Sequence, residues 1–137
     1  MDADTILNRH YTREAWIDKA ERVFAQMNDA ISARSEHEYS YICYWAGCVN
    51  LSYLNALAGS DYPLGLPLED QNVFLDRIEA EFPTLKTVHS EMVYLFDFDE
   101  SINYPGRNAN LSMVVEVLKS VLAFRKAARE ALNLPPE

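Results

Sequence analysis

Hydrophobic residues along this chain fall into one continuous block flanked by periodic stripes. The block runs from Glu38 to Ala58 and reads EYSYICYWAGCVNLSYLNALA, apolar or aromatic on nearly every side. A helix without a polar face must be wrapped by other helices, so this stretch is predicted as the central rod of a bundle. Tyr, Asn, Ser and Gly interrupt it, and the flanking Lys and Arg of a membrane span are missing. Before it, Trp16, Ala20, Val23, Phe24, Met27 and Ile31 recur at three and four residues, with Asp18, Lys19, Glu21, Arg22 and Asp29 on the opposite face. That is the pattern of an amphipathic helix, with Thr12 as its N-cap and Glu14 in its first turn.

The short polar link at Arg34–His37 implies an antiparallel pair, with Ser35 and Glu38 in capping-box spacing for the second helix. Within that helix Gly47 marks a close approach and Gly59 a C-terminal stop. SDYPLGLPL at 60–68 reads as a loop. A third helix follows with Phe74, Leu75, Ile78 and Phe82 buried, and Pro83 breaks or kinks it. The helical period resumes with Leu85, Val88, Met92, Val93, Leu95 and Phe96. FDESINYPGRNAN from Phe98 to Asn110 is the longest loop and the place where binding residues are expected. Asn110 or Ser112 caps a last helix, in which Leu111, Val114, Val115, Leu118, Val121, Leu122 and Phe124 form one broad stripe, with Arg125, Lys126 and Arg129 at its C-terminal end. The prediction is a single all-α domain over 1–137, a four- to five-helix up-down bundle with helices near 12–33, 36–58, 68–82, 84–97 and 110–132.

Charge narrows the partners. There are 21 acidic against 12 basic residues, a net charge of −9, and binding nucleic acid through its phosphates needs the reverse balance. Cys43 and Cys48 lie on different faces of the central helix, outside disulfide geometry. They are expected as reduced core thiols in a cytoplasmic protein. The N-terminus MDADTILNRH has no apolar core of signal-peptide length.

Sequence motifs for chemistry are sparse. The residues three before His10, His37 and His89 are Leu7, Arg34 and Lys86, so the Glu-x-x-His pairs of a di-iron bundle are missing. Paired short-spaced zinc ligands are missing too, and no cofactor is expected. Asp97, Asp99 and Glu100 make an acidic cluster whose simplest reading is a solvated helix end, because the spacing does not match a calcium loop. The tyrosines are abundant, eight in all, and Tyr39, Tyr41, Tyr44 and Tyr53 share the central helix. Tyr and Trp are enriched in interface cores, which makes Tyr41, Tyr44, Trp45 and Tyr53, with Tyr104 and Arg107 on the long loop, the candidates for a contact or groove.

The order of parts resembles the HEPN fold of small prokaryotic helical bundles. The likeness rests on an amphipathic first helix, the Tyr- and Ala-rich YSYICYWAGCVNLSYLNALAG, an interrupted third helix, and a last helix opening on Asn110, Leu111 and Ser112. It covers about Tyr11 to Leu132. HEPN ribonucleases share an Arg-x(4–6)-His motif near the start of the last helix. Arg107 stands at about that place, but the following NANLSMVVEV has no histidine to act as acid or base. The resemblance therefore implies a non-catalytic homodimeric scaffold or an accessory, antitoxin-type component with a protein partner. Two alternatives stand beside it. One is a degenerate RNA- or nucleotide-acting protein in which Arg107 works with His89 or His37. The other is an acidic inhibitor or immunity-type protein that engages a basic partner.

Overall fold

The computed structural model describes residues 11–33, 38–62, 67–98 and 109–135, and all regular structure among them is helical. Among the described residues there are five α-helices: α1 (Arg13–Ala33), α2 (Tyr39–Ala58), α3 (Leu68–Glu81), α4 (His89–Leu95) and α5 (Leu111–Ala131). A 3-10 helix, Pro83–Val88, joins α3 to α4. Tyr104, Arg107, Ser35, His10, His37, Asp99 and Glu100 lie outside the described residues.

The ends of the helices follow from their capping residues. Thr12 Oγ1 accepts from the Ala15 amide at 3.1 Å and Asn110 Oδ1 accepts from the Met113 amide at 2.9 Å, satisfying donors that a helix start leaves open. At the N-terminus of α2, Glu38 makes no side-chain cap hydrogen bond. Gly59 closes α2 in the left-handed region at φ 65°, which costs glycine little. α3 ends at Glu81, and Phe82 at φ −124°, ψ 76° leads into Pro83 at the start of the 3-10 helix. The conformation of Phe82 suits a residue before proline. The second half of this region is thus a 3-10 turn followed by the seven-residue α4, where the periodicity predicts one α-helix over 84–97.

α2 sits in the middle. Thirteen of its 20 residues are buried, including Ile42, Ala46, Val49, Tyr53, Leu54 and Leu57. α1 lies antiparallel along it: Arg13 Nε donates to the Ala56 carbonyl at 3.0 Å, while Glu21, two turns on, meets Tyr53. α5 covers a second side, α4 packs between α2 and α5, and the 3-10 helix packs on α5 and α3. Gly47 permits one close approach: a Cβ there would overlap the Phe98 carbonyl oxygen and stand 3.2 Å from that of Leu95. One core runs through all helices, from Met27 and Phe24 through α2 to Leu75, Ile78, Leu85, Met92, Val117, Val121 and Phe124. Among the described residues no helix is long and apolar enough to cross a membrane.

The broad stripe expected on α5 divides in two. Val114, Val117, Val121, Phe124 and Ala128 are buried, whereas Leu111, Val115 and Leu122 are exposed at 60%, 42% and 47%. An α-helix advances about 100° per residue, so α5 carries more apolar arc than its neighbours cover.

Candidate functional site

The structure separates the residues that the sequence grouped on the central helix. Tyr41 is 48% exposed, with its ring beside that of Trp45 at a centroid distance of 5.9 Å. Trp45 and Tyr44 are half-buried against the core. Tyr53 does not join them. It is 0% exposed and its hydroxyl donates to Glu21, which removes it from any surface of the monomer and corrects its expected place in a contact or groove. Tyr104 and Arg107 fall outside the described residues.

Tyr53 instead belongs to a charged cluster where α1, α2 and α5 meet. Glu21 stands one turn from Phe24 on α1, at the border between the apolar stripe and the polar face. Its carboxylate accepts from the Tyr53 hydroxyl, from Arg125 Nη2 at 2.7 Å and from Arg129 Nη1 at 2.5 Å. Arg125 and Arg129 are four apart on α5 and so share one face. The Arg125 side chain is 6% exposed, and its guanidinium lies over the Phe24 ring, 4.1 Å from the centroid, a cation–π arrangement. Arg129 also donates from Nε and Nη2 to the Pro135 carbonyl at 3.2 and 2.7 Å. Asn133, at φ 58°, makes the turn that returns the chain to it, a conformation asparagine tolerates.

The electrostatics hold each group in one protonation state. Burial pushes the Glu21 carboxyl up, but the hydrogen bonds from Tyr53 and Arg125 and the charges of Arg125 and Arg129 outweigh it, leaving the carboxyl below its ordinary 4.5. Burial first, and then the bond to Glu21, push the Tyr53 hydroxyl up to about 12. At neutral pH this is a carboxylate surrounded by a neutral phenol and two guanidinium ions. Such a carboxylate is fully engaged and has little tendency to accept a further proton. The cluster therefore acts as a clamp joining α1, α2, α5 and the segment after α5.

Other polar groups stand apart from it. His89 Nδ1 meets Glu79 Oε1 at 2.5 Å, with Glu79 buried and the ring 47% exposed, so α4 is tied back to α3. Glu91, two residues on, accepts from Ser90 Oγ at 3.2 Å. Burial pushes the Cys43 thiol up to about 11, which suits a packing role. Asn55, wholly buried, holds the turn after α2 through Ser60 Oγ, the Tyr62 amide and the Tyr62 carbonyl at 3.0, 3.0 and 2.9 Å. A shallow groove of about 410 Å³ runs along α1 past Tyr11, Ala15, Trp16, Asp18, Lys19 and Arg22. Within it Asp18 is paired with Arg22 at 2.9 Å, and Trp16 Nε1 donates to Asp61 at 2.6 Å. Among the described residues no three His, Cys, Asp or Glu side chains gather as metal ligands.

Sequence reasoning assigns Glu21 to the solvated face of α1, and Arg125 and Arg129 to the helix dipole of α5. The one signal that could have found the clamp is the position of Arg125 directly after Phe124, within the apolar arc of α5, where an unpartnered cation would be costly. Comparison of the chain with protein-family models, with curated proteins and with solved structures gives no match.

Proposed function

We propose that this chain is a non-catalytic helical bundle of the HEPN-like kind that works through association, as a homodimeric scaffold or an accessory, antitoxin-type component with a protein partner, in the cytoplasm. One observation carries this reading. Eight large apolar side chains stand exposed on the described surface: Tyr11, Tyr41, Tyr62, Leu68, Val73, Leu111, Val115 and Leu122. The least exposed ionic groups, in contrast, hold helices together. Glu21, Arg125 and Arg129 form the clamp, and Glu79 and His89 hold α3 to α4. Apolar residues that gather on a surface mark interaction sites, as Leu111, Val115 and Leu122 do on α5, and Tyr41 leaning on Trp45 has the aromatic character of an interface anchor. The Asn-Leu-Ser opening of α5 and the all-helical architecture support the HEPN-like assignment.

The degenerate-nuclease alternative would need Arg107 and His89 at one substrate atom. The test is a pair of measurements on the purified full chain: its mass in solution as concentration rises, and turnover of RNA oligonucleotides and nucleotides. Growth in mass without turnover is expected. A monomer at every concentration would overturn the homodimeric form of the proposal, and multiple turnover of either substrate would overturn its non-catalytic character.

A further inference from the structure

We infer that the outer face of α3, centred on Val73, is a docking surface for a basic peptide segment of a protein partner. An apolar side chain of that segment enters the groove beside Val73, and its Lys or Arg side chains meet Glu69, Asp70 and Asp76. The inference gives a chemistry to the protein partner proposed above and rests on that reading only for the existence of such a partner.

Val73 is 70% exposed, the highest value among the exposed large apolar residues. On a helix the surface neighbours of a residue lie three and four positions away, which for Val73 are Glu69, Asp70, Asp76 and Arg77. Three are acids, and among the described residues none of the three pairs with a base. Arg77, the one base, donates from Nη2 to the Ala58 carbonyl at 3.3 Å. On the Asp70 and Arg77 side of Val73 a groove of about 250 Å³ opens against Tyr62 and Phe74. Its wall is fixed in place. Tyr62 is held to Asn55 through its amide and its carbonyl, and its ring stands edge-on to the buried Phe74 at a centroid distance of 4.7 Å. The face is thus a preformed apolar recess bordered by carboxylates.

Helix formation alone does not call for these acids. α3 carries five acids against one base, four of the chain's nine net negative charges. The other long charged helices are mixed, with four acids and three bases on α1 and two acids and four bases on α5. Glu69 and Asp70 in the first turn suit the helix dipole, but that preference is confined to the first turn and reverses at the last. Asp76 lies mid-helix. Glu81 stands in the last turn, where no base is present, in line with Asp70 and Arg77 on the groove side.

The occupant follows from this charge. Two copies apposed through α3 would set carboxylate against carboxylate, and nucleic acid or an anionic membrane surface would be repelled. A segment with an apolar side chain among Lys and Arg residues matches the carboxylates and the recess together. Complementary charge sets partner choice and on-rate, while the recess seats the anchor.

The test uses a fluorescent synthetic peptide with capped ends, Lys-Arg-Leu-Lys-Lys-Phe-Lys-Arg, titrated with the full chain by anisotropy. Binding is expected below about 1 mM, weakening several-fold as salt rises from about 50 to about 300 mM. Asp76→Lys and Val73→Ser, both at exposed positions, should each weaken it at least fivefold with the thermal melt unchanged. Glu116→Lys, the same charge change at an exposed acid of α5, should alter it less than twofold. A peptide with Ser in place of Leu and Phe should bind at least tenfold more weakly. Equal losses in Asp76→Lys and Glu116→Lys would reduce the effect to net charge and overturn α3 as the surface. Undiminished binding of the Ser peptide would overturn the role of the recess. No binding at about 1 mM would overturn the docking surface outright, without touching the mass and turnover measurements that test the scaffold reading. Self-association of the chain that Asp76→Lys or Val73→Ser abolishes would assign the face to a second copy, overturning the basic partner while sparing the homodimer.

Discussion

Replacing Glu21 by alanine measures what the clamp contributes to stability. The substitution removes the acceptor for Tyr53, Arg125 and Arg129. It leaves Arg125, 5% exposed, and Tyr53, 0% exposed, without the carboxylate they were folded around. Taking one partner from a buried pair costs about 3–5 kcal/mol, against about 0–1 kcal/mol for an exposed pair. The Glu21 side chain keeps 32% of its exposure, so water screens part of the interaction. An intermediate loss of about 2–3 kcal/mol follows, equivalent for a chain of this size to a fall of about 6–12 °C in Tm.

The pH dependence separates this loss from simple loss of packing. Because the folded Glu21 carboxyl lies below its ordinary 4.5, its ionisation stabilises the native state above that pH, and the contribution disappears as pH falls through the folded value. Glu21→Gln preserves the volume and does not titrate. In urea unfolding followed by circular dichroism, the gap between wild type and Glu21→Gln should be wide at neutral pH and narrow below 4.5. A difference under about 0.5 kcal/mol, the range of an ordinary surface substitution, would refute the reasoning, as would a gap that is the same in acid and at neutrality.

Three further outcomes follow from the packing. Gly47→Ala should destabilise by at least about 1–3 kcal/mol, visible as a lower Tm, because the added methyl meets the backbone carbonyl oxygen of Phe98 and not a side chain that can move aside. Asn50 is wholly buried, donates to the Met92 carbonyl at 3.3 Å and leaves its own Oδ1 without a partner. Asn50→Asp, which buries a charge, should cost about 3–5 kcal/mol, while Asn50→Leu should stay within about 1.5 kcal/mol of wild type by denaturant midpoint. With Cys43 buried, its thiol pushed up to about 11, and Cys48 half-buried, alkylation of the native chain at mildly alkaline pH should label Cys48 well before Cys43, as read by mass spectrometry of peptides.

Local chemistry in this chain was readable wherever one residue decides the outcome. Thr12 and Asn110 cap their helices because a side-chain oxygen sits three residues before an open amide, and Gly59 ends α2 because the left-handed turn suits it. Gly47 signalled a close approach without saying to what. The clamp was not readable, because Glu21 and Arg125 are 104 positions apart and periodicity reports only which face a residue lies on. Glu79 was hidden in the same way: it lies beside the apolar stripe of α3, and only the return of the chain through Pro83–Val88 brings His89 over it. Tyr53 misled for a different reason. Four tyrosines on one helix suggest one shared surface, but α2 is enclosed on so many sides that its residues point into separate environments.

That enclosure decides where association can occur. α2 is buried along most of its length, so the most apolar segment of the chain is spent on the core and has only its N-terminal turns, at Tyr41 and Trp45, left for a partner. The surface that can meet another molecule must come chiefly from the helices around it. Among these α5 differs from α1 in a specific way. The large apolar residues of the α1 stripe face the bundle: Val23, Phe24, Met27 and Ile31 pack on the core, and Trp16 is half-buried. Those of α5 overflow the groove that α2 and α4 provide. Leu111, Val115 and Leu122 leave 60%, 42% and 47% of their surface in water, and only the covered remainder of each contributes to the stability of the monomer.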